Sequence, residues 1–547
     1  MSLCRYLLQW WKMARAAGHR QVPTMRPPID NQLAPEDLSF FRPAKGMNVA
    51  APLSMIPREF SPFTKNFILH RGHNKSRSPV GVVGGASADP VMLAFEFRSL
   101  DGTIFILRFT TKKLQRLAGS TWSDVAGATF TGTISDFFTI TTFGERLVFS
   151  NGVDGLFVFD PGAVTVSQIT TSAEVPKARH LTTFAGRVVA TNVIDSSGTK
   201  RGRVRWSAKF DHTKWDPAVD LGSGFEDVTS SPNPDADVCH ATLPVTDELA
   251  LLSRRRSVYL ISVTGIADAP FRFSMLHDQL GTESPYSIVA VHGGIMGWYE
   301  NDFYFVSHTG VTPVGTQIAD RLRELITSPR DMWGTYDAYR NEYRCIIKED
   351  SAVWRYSFPD QGWTRDEYSF VPRTIEAVGR YTTGGLTIDE LVGTIDGLVG
   401  TIDELGGGAV IRGGAYLTQP SYVVREDTTR TQDVNTSGNA IDAPVEIQTG
   451  LILPKSPLER VEVAEVQLEY EANIGQTLIF DYSTDAGETW LQYSTVDIVP
   501  TSGPEVLSVR RTVSGKKMQV RCRSTTLGQL SLLSLHVFAT LGGKIKP

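Results

Sequence analysis

Short apolar β segments, each closed by turn residues, recur along the chain from Val91 onward and leave little room for anything but an all-β fold. Examples are GTIFILRF at 102–109, ERLVFSNGVDGLFVFD at 145–160, GRVVATNV at 186–193, ELALLSRRRSVYLIS at 248–262 and GIMGWYENDFYFVSHTG at 294–310. Several are hairpins, two of them centred on turn formers of the kind that tight loops need, Asn151-Gly152 with Asp154-Gly155 and Asn301-Asp302. The sets return at about 40 to 60 residues, the period of a four-stranded propeller blade. A further set, 337–367, repeats the scheme of strand, turn, strand and Trp-bearing turn. The pattern predicts five to seven irregular blades between residues 85 and 425.

A chain of 547 residues divides into roughly three or four units at about 150 residues each. Residues 1–84 form the first, an extended basic N-terminal arm, rich in proline from Gln21 to Pro79 and expected to lie along other surfaces. Residues 1–80 carry 12 Lys/Arg against 4 Asp/Glu, a net of +8; subtraction from totals of 54 and 59 leaves −13 on the remainder. Such an arm suits acidic neighbours of the same protein, or nucleic acid. Its first turn or two, with Tyr6, Leu7, Trp10 and Trp11 on one side, reads as a short amphipathic helix packing on protein. The apolar run there is interrupted by Gln9 and Lys12, which argues against a secretory signal, and no stretch approaches the ~20 apolar residues of a membrane span.

Within the body, Thr316–Ile326 has helical spacing, with Ile318, Leu322, Leu325 and Ile326 on one face and Thr316 placed to cap it. Residues 386–407 hold three tandem copies of T-I-D-x-L-x-G, in which Asp389, Asp396 and Asp403 recur every seventh residue. Glycine in each copy excludes a coiled coil. The array reads instead as repeated turns projecting from the body, its aspartates either capping turns or facing a partner or channel. The dense acidic run of a calcium loop is missing, so no metal is expected.

After a polar linker at 425–439, residues 443–547 alternate as a C-terminal β-sandwich domain, with a bulge expected near Ala464-Glu465 and a hairpin at Ser514-Gly515 that puts Met518, Val520 and Cys522 on one face. STDAGETW at 483–490 fits the aspartate-box pattern, in which Ser483, Asp485, Gly487 and Trp490 lock a hairpin structurally.

Candidate chemistry is sparse. There is no G-x-S-x-G, P-loop, H-E-x-x-H or dinucleotide fingerprint, so the expectation is a protein that is not an enzyme and needs no cofactor. Cys4, Cys239, Cys345 and Cys522 have neither disulfide nor zinc spacing, as for free thiols in a chain made in a reducing cytoplasm. Arg254, Arg255 and Arg256 sit in a strand pattern, facing phosphates, a neighbour's carboxylates, or solvent as an ion-paired edge.

Together, KGMNVAAPLSMIPREFSPFTKNF from Lys45, the hairpin blades, GGIMGWYENDFYFVSHTGVTPVGTQIADRL at 293–322, the T-I-D-x-L-x-G array and the terminal sandwich resemble the tail nozzle proteins (tail tubular protein B) of short-tailed bacteriophages. The array and the 293–322 block are the specific parts, and residues 1–25 fall outside the likeness. The resemblance implies a virion protein, made in the host cytoplasm, that forms a homo-oligomeric ring, commonly of six copies. Its implied neighbours are the phage adaptor above, tail fibre or tailspike proteins at its side, and double-stranded DNA in transit without sequence specificity. It implies no membrane insertion. Two other classes fit an all-β chain: a propeller glycosidase, which needs arginines and carboxylates clustered in its central pocket, and a host-surface adhesin, which needs an exposed aromatic groove.

Overall fold

Seven four-stranded antiparallel sheets follow one another along the chain in the computed structural model, which describes residues 37–127, 129–228, 237–377, 381–382, 410–411, 415–427, 430–454 and 459–542. Their first strands are Val91–Arg98, Thr139–Phe143, Lys177–Phe184, Cys239–Pro244, Val289–Val291, Trp333–Asp337 and Ile375–Ala377. Those of blades two to seven touch in turn, and the last meets the first, so the sheets close into an irregular propeller-like body. The architecture is all-β, with one α-helix among the described residues.

Local sequence explains the blades. In blade two, Arg146–Ser150 pairs with Phe157–Asp160 through Leu147↔Phe159, Val148↔Val158 and Phe149↔Phe157. The loop between them is held by Asn151, whose side-chain oxygen accepts from the N–H groups of Val153 (3.1 Å) and Asp154 (2.9 Å). Phe149 and Phe157 stack at 5.5 Å, and Phe149 meets Phe109 of blade one edge-on at 5.1 Å. Alternating aromatics thus supply both the strand propensity and the packing between blades.

Blade seven is completed from far away in sequence. Its second and third strands are Ala415–Thr418 and Val423–Glu426, and its outer strand is Val80–Val83 from the arm, in register Val80↔Glu426 to Val83↔Val423. Arg77 pins this crossing. Its guanidinium is fully buried, ion-pairs with Asp433, donates to Asn66 Oδ1 (2.9 Å) and the Glu367 carbonyl (2.8 Å), and lies 4.1 Å above the Tyr368 ring. Asp433 also accepts from the Val80 N–H at 3.0 Å. The stretch expected as a polar linker is therefore an anchor, because it carries the buried carboxylate that pairs with Arg77 of the arm.

A second ion network joins blades six and seven. Glu426 accepts from Arg355 (2.7 Å), Arg344 (3.0 Å) and Arg340 (3.2 Å), while Asp337 pairs with Arg344 (2.6 Å) and Asp366 with Arg355. Burial alone would raise the Glu426 pKa, but the three guanidiniums hold it well below the ordinary carboxylate range. Glu342, beside the same arginines, is pushed up by burial.

The sandwich has a mixed origin. One sheet runs Phe67–His70, His73–Ser76, Leu530–Gly542, Arg460–Ala472 and Glu505–Gly515, with Asp37–Phe41 also paired to Leu530–Gly542. The other runs Thr64–Lys65, Val445–Gln448, Gln519–Ser524, Gln476–Ser483 and Leu491–Ile498. The arm thus lies along its own chain as strands, and residues 443–547 alone do not make up the sandwich. Gly46, at φ +73°, passes so close to the Trp363 backbone that a Cβ would fall 2.1 Å from its carbonyl oxygen.

Two local expectations change. The register shifts between Val463 and Glu465, where the bulge was expected, but Glu505–Gly515 and Gln519–Ser524 belong to different sheets. Ser514-Gly515 therefore precedes a crossover rather than a hairpin turn, although Met518, Val520 and Cys522 do share the buried core. The helix is Ala319–Leu325, with Ile318 at its N-cap and no side-chain cap bond. Thr316 does not cap it, and the Gly315 carbonyl accepts from the Ile318 and Ala319 N–H groups at 2.8 Å each.

Candidate functional site in the axial cavity

Because the first strand of every blade faces the common axis, seven separate segments converge on one cavity of about 200 Å³. Blade one brings Leu93 and Phe95, blade two Phe138 and Thr139, blade three His180, blade four Thr242, blade six Trp333 and Thr335, and blade seven Glu376. A single turn ahead of blade five, Pro285–Ser287, carries Tyr286 inward. Tyr286 stacks on Trp333 (5.4 Å, 14°), and Phe137 packs against both at 5.0 and 5.4 Å. The Trp333 indole N–H donates to the Ile375 carbonyl at 3.0 Å, and Thr335 Oγ1 accepts from the Ala377 N–H at 3.1 Å, so blades six and seven are tied together beside Glu376.

Burial dominates the electrostatics. It pushes the Glu376 carboxyl up to about 8, and the Trp333 indole and Thr335 hydroxyl beside it oppose the shift only in part. It drives His180 well below the ordinary imidazole value, with a further push from His240, which is itself lowered to about 4. The two rings meet edge-on at 6.3 Å. Thr139 Oγ1, Thr242 Oγ1 and His240 Nδ1 are buried with no hydrogen-bond partner among the described residues. Among the described lining residues Glu376 is the one carboxylate, and there is neither lysine nor arginine.

The residues singled out from sequence lie elsewhere. Arg254 ends the strand Leu249–Arg254, fully buried, and bonds to Asp237. Arg255 and Arg256 are exposed residues of the turn that follows, with Arg255 paired to Glu283 at 2.8 Å. The three arginines do not form a strand face, since the hairpin reverses between them. Ser483, Asp485, Gly487 and Trp490 close the turn between Gln476–Ser483 and Leu491–Ile498. Ser483 Oγ donates to Asp485 Oδ1 (2.7 Å) and accepts from the Gly487 N–H (2.8 Å), Asp485 accepts from the Thr489 N–H (2.9 Å), and Trp490 sits beneath Arg521 at 4.4 Å. Hydrogen bonds from Thr489 and Ser483 hold Asp485 down at about 2. Asp389, Asp396 and Asp403 lie outside the described residues. The strands nearest the array, Tyr381–Thr382 and Val410–Ile411, pair with each other as an extension of the first hairpin of blade seven.

The axial residues carried little signal in sequence. Glu376 is a lone acid in a three-residue strand, and Tyr286 and Trp333 read as ordinary core aromatics until ring closure places them on the axis.

No family model and no curated protein matches the chain. Among solved structures, one titled "Structure of U3-55K" shares 7% identity over 64% of this chain and 98% of that chain, with a TM-score of 0.37.

Proposed function

We propose that this chain is a structural subunit of a short-tailed phage tail, the nozzle ring below portal and adaptor, which supports fibres or tailspikes and through which the genome leaves. The observation that carries the reading is the manner of construction, taken with the resemblance of the sequence. A propeller whose last blade and whose sandwich are both finished by one N-terminal arm is a cross-braced body suited to bearing load. A cavity of about 200 Å³ walled by Phe138, Tyr286 and Trp333 has no room for a duplex whose major groove alone is about 12 Å wide. The genome path in this reading therefore runs between copies in a ring. The net acidic remainder of the chain would not retain a passing polyanion.

The glycosidase alternative draws less support, because hydrolysis of a glycosidic bond uses two carboxylates flanking it and the described lining residues of the axial cavity offer one. Negative-stain images of the purified full chain and of virions test the proposal. Rings, and matching density at the tail tip labelled by antibody to this chain, are expected. Monomers at all concentrations together with no label on virions would overturn it.

A further inference from the structure

The axial cavity has a composition that closing a propeller does not require. Core positions on inner strands can be filled by aliphatic side chains, yet here one acidic side chain, Glu376, is set into a wall of Phe95, Phe138, Tyr286 and Trp333. Among the described residues nothing cationic pairs with it. Arg179 of blade three pairs with Asp136 at 2.9 Å and reaches the Tyr286 hydroxyl rather than Glu376. A carboxyl met only by the Trp333 indole and the Thr335 hydroxyl is costly to ionise there, and Thr139 Oγ1 and Thr242 Oγ1, which belong to the same lining, have no hydrogen-bond partner among the described residues. Acceptors, aromatic rings and one acid that a bound cation would help to ionise, with no lysine or arginine among the described lining residues, are the complement of an ammonium ion bearing short carbon substituents. The volume, below the ~300 Å³ at which drug-sized pockets begin, limits the ligand to a few heavy atoms.

We propose that the axial cavity is a binding site for a small organic ammonium ion, with Glu376 as its counter-ion, the Tyr286 and Trp333 side chains against its carbon substituents, and Thr139 and Thr242 as hydrogen-bonding partners. The site is independent of the assembly role, since each chain carries it whole, with one residue or more from all seven blades.

The test compares two probes of the same shape on the full-length wild-type chain at equal ionic strength: choline chloride and its neutral isostere 3,3-dimethylbutan-1-ol. Isothermal calorimetry, with the intrinsic tryptophan fluorescence of the chain as a second readout, is expected to show one choline per chain, bound at least about tenfold more tightly than the isostere. Glu376→Gln keeps the shape of the side chain and its hydrogen bond to Thr335. It is expected to remove that preference by weakening choline at least about tenfold while leaving the isostere unchanged. Equal binding of both probes, no binding of either, or an undiminished preference in Glu376→Gln overturns the proposal. The wild-type comparison decides the matter even if the variant folds poorly.

Discussion

Replacing Glu426 by glutamine tests whether the joint between blades six and seven is held by charge. The carboxylate is 2% exposed and sits within 3.2 Å of three guanidiniums. Around it Arg340, Arg344 and Arg355 face Asp337, Glu342, Asp366 and Glu426, three cations against four acids, and the raised pKa of Glu342 lets a proton there balance the count. In Glu426→Gln that balance can be restored only by ionising Glu342 in the interior. Breaking a buried pair costs about 3–5 kcal/mol. The carboxamide oxygen of the variant still accepts one or two of the hydrogen bonds, so we expect roughly 3 kcal/mol, or about a hundredfold faster amide exchange. The loss should be read in Val423–Glu426, Val80–Val83 and Glu342–Ile347, with blades three and four unchanged, by hydrogen-exchange mass spectrometry on the full chain. The pH dependence has a fixed sign. A folded-state pKa held below the unfolded value gives stability that is complete above about pH 4.5 and lost as pH falls toward the folded value. Wild-type protection at this joint should therefore decay below that pH, while the variant is flatter. Exchange in Glu426→Gln equal to wild type at pH 7 would show that packing alone holds the joint.

Three other outcomes are expected. Removing residues 1–36 should leave sandwich stability unchanged by thermal melting, whereas removing 1–45 deletes Asp37–Phe41 and the buried Phe41 and should cost about 3–5 kcal/mol; equal melting would deny the arm its place in the core. Asp485→Ala should speed amide exchange at Gly487 and Thr489 while leaving the propeller untouched, and unchanged exchange would mean that the turn does not depend on the carboxylate. Glu376, with its folded pKa raised to about 8, contributes stability that is complete below its unfolded value and lost as pH rises through about 8. Wild-type melting should accordingly fall relative to Glu376→Gln between pH 5 and 9, and parallel curves would contradict a raised pKa there.

Blades could be read from the sequence because each is local: alternation in RLVFS and FVFD, with Asn151 and Gly152 between them, fixes strand, turn and register within a few residues. The box at Ser483 to Trp490 was legible for the same reason. What stayed hidden depends on partners distant in the chain. Phe67–His70 and His73–Ser76 are four residues each, one of them HNKS, and pair with each other at the edge of a sheet in which His73–Ser76 joins Leu530–Gly542. Glu505–Gly515 and Gln519–Ser524 alternate as hairpin strands would, and alternation does not say whether two strands share a sheet or face each other across a core. The arginines at 254–256 looked like strand because apolar runs flank them and no glycine or asparagine marks the reversal. Glu376 had no motif at all, since its position is set by closure of the whole ring.

The arm imposes an order on biosynthesis. The Val80 amide waits for Asp433, 353 residues later, and the Ser76 hydroxyl for the Leu530 amide, 454 residues later. As the ribosome proceeds, blades one to six can assemble one by one, while the edge strand of blade seven and the four sandwich strands of the arm wait for partners not yet made. Contacts of such separation are slow to form. Until the last strand emerges, residues 37–83 are an unclaimed template that fits a neighbouring chain's blade seven and sandwich as well as its own. Refolding yield should thus fall as concentration rises, with exchanged arms as the signature product.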